Sequence, residues 1–193
     1  MKKLIILATL VFSVITSKAQ LQKEGTLSIT PTGQFGYVSM SGFDHGDGGF
    51  GGGINGELRY QLTKELGISA GLGISSMESS VNDDIYHSFT YVTFPALAHY
   101  YLTKNLAAQA GLELGILAEA NRYYEHTHGG KDHLKNDLEG VCLFLPIGLT
   151  WTFSRPFVAG LQVRIPVTTM EKRGNNSQKL IWFMTTFGYR FDI

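Results

Sequence analysis

The sequence predicts an all-β chain closed into an antiparallel, up-and-down transmembrane β-barrel of eight strands. Three observations predict it. An apolar leader is followed by no apolar run long enough for a membrane helix, apolar and polar residues alternate with period two in segment after segment, and the connections alternate between long and short. Composition agrees. A chain of 193 residues suits one domain, and 44% hydrophobic residues with 23 glycines is too apolar for disorder and too glycine-rich for a helical bundle.

Residues 1–19 have the layout of a secretory signal peptide. Lys2 and Lys3 give a positive start, Leu4 to Ile15 is apolar, and Ser17-Lys18-Ala19 puts small residues where a signal peptidase reads. Cleavage before Gln20 leaves 20–193 as the barrel domain. A membrane anchor would need about 20 apolar residues. No cysteine follows the leader, which excludes lipid attachment there. Losing Lys2, Lys3 and Lys18 leaves 13 basic and 16 acidic residues, a net charge of −3, which argues against a nucleic-acid partner. Cys142 is the only cysteine, so no internal disulfide forms.

Eight alternating segments follow, at 26–40, 50–62, 66–77, 89–102, 106–118, 138–153, 157–167 and 180–193. In the third, Leu66, Ile68, Ala70, Leu72 and Ile74 share one face and Gly67, Ser69, Gly71, Gly73 and Ser75 the other. Leu106 to Ile116, Phe157 to Val167 and Ile181 to Phe191 repeat the plan. The longest unbroken apolar run, Val141 to Leu149, contains Pro146 and Gly148. Short connections at 63–65, 103–105 and 154–156 alternate with long polar ones at 41–49, 78–88, 119–137 and 168–179. This asymmetry belongs to outer-membrane barrels, with tight periplasmic turns and longer outer loops. An even strand count puts both chain ends in the periplasm. A weak repeat of aromatic strand end, polar turn and apolar strand start places Tyr60, Tyr101, Trp151, Phe153 and Phe157 in an interfacial girdle.

Backbone groups in lipid must all be paired, so the sheet closes, apolar face outward. The other face carries Glu57, Arg59, Glu113, Arg164 and Arg190, which are expected to form an internal hydrogen-bonded network, since buried charges are costly unless paired. Eight strands leave a lumen only wide enough for its own side chains, so no diffusion pore is expected.

Three stretches carry a resemblance: Ala19-Gln20 after the leader, Tyr91-Val92-Thr93-Phe94-Pro95-Ala96-Leu97 leading to Tyr100-Tyr101, and the last strand. With these the chain resembles the Bacteroidetes-type outer-membrane β-barrel family, similar in architecture to OmpA- and OmpX-like eight-stranded barrels. Thr186, Gly188, Phe191 and Ile193 resemble the C-terminal signal that the barrel-assembly machinery reads, although Ile193 stands where an aromatic is usual. The resemblance implies a cell-envelope protein of the outer membrane, porin-like in build. Outer-membrane lipid and the assembly machinery are its implied partners, and no peptidoglycan-binding domain is implied.

Motifs with chemical potential are weighed next. His126, His128 and His133 stand among Glu125, Asp132 and Asp137, and His-x-His on extended chain can hold a transition metal. The spacing matches no structural zinc site, so a solvated loop is expected and no metal is assigned. Asp83, Asp84 and His87 could join His126 or His128 in a rim acid–base cluster, but such residues are common in polar loops, and no catalytic role is assigned. Gly46 to Gly53 lacks the Lys-Ser/Thr of a phosphate loop. Asn175-Asn176-Ser177 fits a glycosylation sequon that means little in this setting. No cofactor is expected. The reading is a monomeric, non-enzymatic scaffold presenting four outer loops, with Tyr86, Tyr123 and Tyr124 as contact residues for an unidentified extracellular ligand or for envelope integrity. The alternative is a narrow channel or small-ligand carrier. A soluble lipocalin-like carrier would need an early Gly-x-Trp, and both tryptophans, Trp151 and Trp182, come late.

Overall fold

The computed structural model describes residues 22–41, 48–82, 85–124, 131–133, 140–154, 156–168 and 179–193. The leader 1–19, the start of the glycine run, Asp83, Asp84, His126, His128 and the Asn175 sequon lie outside these residues. His133 is placed by its backbone alone.

Eight long strands form the wall: β1 Leu27–Ser41, β2 Gly49–Gln61, β3 Leu66–Asn82, β4 Ile85–Tyr101, β5 Leu106–Tyr124, β6 Val141–Ser154, β7 Phe157–Pro166 and β8 Lys179–Tyr189. Each is antiparallel to the one before it, and β8 returns to β1 from Thr32↔Gly188 to Ser41↔Lys179, closing the sheet. Two further residues, Phe191–Asp192, pair with Ile29 and Ser28 in the same register. The interruption falls where β1 carries Pro31, which has no N–H to give the ladder.

The outside is apolar. Phe35, Ile54, Leu72, Leu112, Leu161 and Phe187 each expose half their surface or more, while neighbours one residue away along the same strands are buried or half-buried. Aromatic rings mark both ends of this belt. At the loop end Phe50 stacks on Phe35 at 5.9 Å and meets Tyr37 edge-on at 5.8 Å. At the turn end Trp151, Phe153, Phe157, Tyr189 and Phe191 form a continuous chain across β6, β7 and β8, with centroids 4.5–6.2 Å apart. Phe50 and Tyr60 bound the belt on β2; ten residues of a strand tilted by about 40° rise about 25 Å, the height of a barrel's lipid band. An apolar surface around a polar and packed inside is the arrangement of a transmembrane barrel.

Three sequence expectations need correction. The segments 78–88 and 119–137 are not wholly loops. β3 runs to Asn82, β4 starts at Ile85 and β5 reaches Tyr124, with Lys131–His133 pairing onto Asn121–Tyr123. Beyond the belt water can solvate either face, so the apolar half of the alternation disappears while the ladder continues. In β5 a bulge adds a second cause: Thr90 faces Glu119 and Tyr91 faces Leu117, leaving Ala118 as the extra residue. The inward phase then shifts from Leu117 to Ala120. Tyr101 is the third correction. It lies inside the barrel, buried, and Tyr100 takes the outer position, because adjacent residues of a strand face opposite ways.

The belt makes a depth-dependent prediction. Leu72→Arg, in mid-belt on β3, should lower unfolding stability in lipid vesicles by about 2–4 kcal/mol, against about 0–1 kcal/mol for Ser76→Arg near the loop end. Equal losses in urea titrations would deny that Leu72 faces hydrocarbon.

Candidate functional site: a lumen in two halves

The interior divides along the barrel axis. The turn half is polar. Glu57 and Arg59 are two apart on β2 and therefore share its inner face. Arg59 Nε and Nη2 donate to Glu57 Oε1 at 2.9 and 2.6 Å, and Nη1 donates to the Tyr101 hydroxyl at 2.9 Å. His99 on β4 brings Nε2 to 2.8 Å from Ser69 Oγ and 3.6 Å from the same carboxylate oxygen. Both contacts fall on one ring nitrogen, and His99 Nδ1 has no hydrogen-bond partner. A serine hydrolase needs serine and acid on opposite ring nitrogens, so this is not a catalytic triad.

A second cluster sits at mid-height. Arg164 on β7 donates Nη2 to Gln34 Oε1 at 2.6 Å, Nη1 to Ser75 Oγ at 3.3 Å and Nε to Gln162 Oε1 at 3.4 Å. Its Nε also lies 3.4 Å from Glu113 Oε2. Glu113 is 1% exposed, and neither carboxylate oxygen has a hydrogen bond within the protein. Four of the five residues singled out from sequence thus fall into two groups, Glu57 with Arg59 and Glu113 with Arg164. Arg190, half-buried beyond β8, leaves its Nε without a partner.

The loop half is apolar, which the sequence reading did not foresee. Val38, Met77, Phe89, Tyr91, Leu117, Ala120, Cys142, Phe144, Trp182 and Met184 form one buried cluster inside the wall. At its centre Tyr91, Phe144 and Trp182 meet edge-on, with centroids 6.1–6.5 Å apart. Gly115 makes room for them. A Cβ there would stand 2.9 Å from Phe144 Cε2 and 3.4 Å from Tyr91 Cδ1. The Arg164 guanidinium carbon lies 5.8 Å from the Trp182 ring centroid and joins the halves through a cation–π contact. A signal was available: Val141 to Leu149 and Ile181 to Met184 are apolar on consecutive residues, so both strand faces are apolar there.

Two cavities matter. Between the two charged groups lies a chamber of about 40 Å³, measured as room for water centres, lined by Thr30, Asn55, Glu57, Gln109, Glu113 and Thr150. The larger one, about 640 Å³, is an apolar groove across the wall at Gly33, Ile54, Gly56, Leu72 and Ile74, open to the belt surface. No group of three or more metal-binding side chains occurs among the described residues. Of the predicted rim cluster only His87 is described with its side chain; it is buried and accepts a hydrogen bond from Arg122 Nε at 3.1 Å. Of the C-terminal signal residues, Phe191 and Ile193 face outward and exposed, while Thr186 and Gly188 face the partly buried inner side.

The charged pair in the turn half should behave as a unit. Arg59→Met alone strands Glu57 and should cost about 3–5 kcal/mol of unfolding free energy, and Glu57→Gln with Arg59→Met should recover most of it. Additive losses in a double-mutant cycle would show that the pair is not coupled.

No protein-family model matches the chain, and no curated protein matches it either. Solved structures do. Neisserial surface protein A is similar at TM-score 0.61 with 9% identity, over 87% of this chain and 100% of that one. Ail, the attachment invasion locus protein of Yersinia pestis, is similar at TM-score 0.52 with 17% identity, over 88% of this chain and 100% of that one. A second Ail structure, in complex with the heparin analogue sucrose octasulfate, gives TM-score 0.51 and 18% identity over 88% and 100%. At such identities the likeness establishes the fold: this chain is an eight-stranded barrel of the outer-membrane type.

Proposed function

We propose that the protein is an integral outer-membrane barrel of the Bacteroidetes type that neither conducts nor catalyses, and whose loop end acts outside the cell by contact or by supporting envelope integrity. The apolar cluster across the lumen carries this reading. A channel needs a continuous wet path, and Tyr91, Phe144 and Trp182 fill the loop half with packed aromatic rings that leave no room for one. The chamber below them is too small for a solute.

Other parts of the reading fit around this one. The signal peptide over 1–19 exports the chain, and the assembly machinery reads Thr186, Gly188, Phe191 and Ile193, of which Phe191 and Ile193 face outward at the turn end. Outer-membrane lipid then covers the belt. Contact residues stand on the extension of β3, β4 and β5, where Tyr86 and Tyr123 are direct cross-strand neighbours, each about 40% exposed. Tyrosine gives large contact area at small entropy cost. Strands hold such residues more rigidly than loops do, which favours recognition.

Wild-type protein in planar bilayers should remain at background conductance. Discrete conductance steps that disappear in Arg164→Met would establish the narrow channel instead. Replacing 125–139 by a short glycine-containing turn should leave the shift in gel mobility between unboiled and boiled samples unchanged, because Lys131–His133 joins the sheet over only three residue pairs.

A further inference from the structure

We propose that residues 22–26 form a lid over the turn-side mouth and that the chamber behind it is a small hydrated site. The lid is visible in its bonds. Gly25 N–H donates to the Gln61 carbonyl and Gln61 N–H to the Thr26 carbonyl, both at 2.9 Å, which fixes the segment against the end of β2. From there Gln22 Nε2 donates to the Lys104 carbonyl at 2.9 Å. Lys104 belongs to the β4–β5 turn, on the far side of the ring from β1, so the segment crosses the opening. A turn bends the chain inward between Lys23 and Thr26, with Thr26 N–H donating to the Lys23 carbonyl at 3.4 Å. It needs Gly25 at φ +76°, a conformation that L residues rarely adopt.

Burial at the mouth agrees. Gln61 ends β2 and is only 4% exposed, and His99 behind it is fully buried. In an uncovered barrel the last polar residues of the inner face would be wet.

The chamber asks for water. Glu113 Oε1 and Oε2, Asn55 Oδ1 and Thr30 Oγ1 are buried without a hydrogen-bond partner, and three of these four atoms can only accept. Glu113, Asn55 and Thr30 all line the chamber. Acceptors of this kind need donors, and a water brings two O–H groups. One water needs roughly 10–15 Å³ of such space, and the chamber exceeds that. A cation is disfavoured, because Arg59 and Arg164 line the same space. Water there would bridge the Glu57–Arg59 pair to Glu113 and Arg164.

Thiol labelling tests the lid. In a Cys142→Ser background, Gln61→Cys places one thiol at the mouth, directly behind the segment, where Gln61 is buried. Its reaction with a charged methanethiosulfonate, in folded protein held in detergent micelles, should be at least tenfold faster when Gln22–Gly25 is deleted. Gln22→Ala removes one hydrogen bond only and should give a smaller acceleration. Unboiled gel mobility checks that each variant is folded. Equal rates in all three proteins would overturn the proposal: fast labelling throughout means that the segment does not close the mouth, and slow labelling throughout means that the lumen side chains close it alone.

Discussion

Every feature of this molecule depends on the β1–β8 seam. Hydrocarbon offers no partner to a backbone N–H or C=O, so an eight-stranded sheet survives there only when its first and last strands meet. The seam keeps one register from Ser41↔Lys179 to Ser28↔Asp192 and passes Pro31 by losing a rung rather than shifting. Closure fixes the circumference, and with it the volume that inward side chains must fill. Outside, the strands need only be apolar. Inside, they must fit one another.

The interior meets that demand in two ways. Near the turns the fit is polar: Glu57, Arg59, Tyr101, His99 and Ser69 hold one another through short bonds, and the guanidinium is satisfied on three nitrogens. Near the loops it is steric, with three aromatic rings packed edge to face around the space that Gly115 leaves. The halves are chemically incompatible except at Arg164, whose donors reach Gln34 and Ser75 while its guanidinium carbon lies over the Trp182 ring, 5.8 Å from the centroid. Arginine can do both because its guanidinium is planar, delocalised and weakly hydrated. Lysine, a strongly hydrated point charge, could not bridge the two environments in this way.

Much of the fold could be read from the sequence because the lipid enforces a rule that every belt residue obeys. Leu66 through Ile74 alternate as they do because one side faces hydrocarbon, and strand faces follow directly from that. Where the rule lapses, reading fails. Beyond the belt β3 and β4 continue through Ser79, Ser80 and Tyr86 with no apolar face to mark them, and at Ala118 a bulge resets the phase of β5. Inside the barrel a period of two tells which residues point inward but not which of them meet. Glu57 and Arg59 could be paired by their spacing on one strand. Glu113 and Arg164 come from β5 and β7, and Gln34 and Ser75 from β1 and β3, so that cluster exists only through closure. The apolar plug was hidden for a different reason: a run apolar on both faces reads as a stronger strand, not as a filled lumen.

A barrel filled in this manner is stiff, and its stiffness bears on where function can lie. The wall is continuous and the inner side chains are interlocked, so a large internal rearrangement would break several buried contacts at once. What can vary at small energetic cost is what the wall carries beyond the membrane. Among the described residues β3 runs on to Asn82, β4 starts at Ile85 and β5 reaches Tyr124, with Lys131–His133 paired onto its end. Tyr86 and Tyr123 lie on this extension, fixed by the same ladder that crosses the lipid. In the proposed function, the membrane-spanning ladder thus orients the contact surface outside the membrane, and that is the physical sense in which such a barrel would be a scaffold.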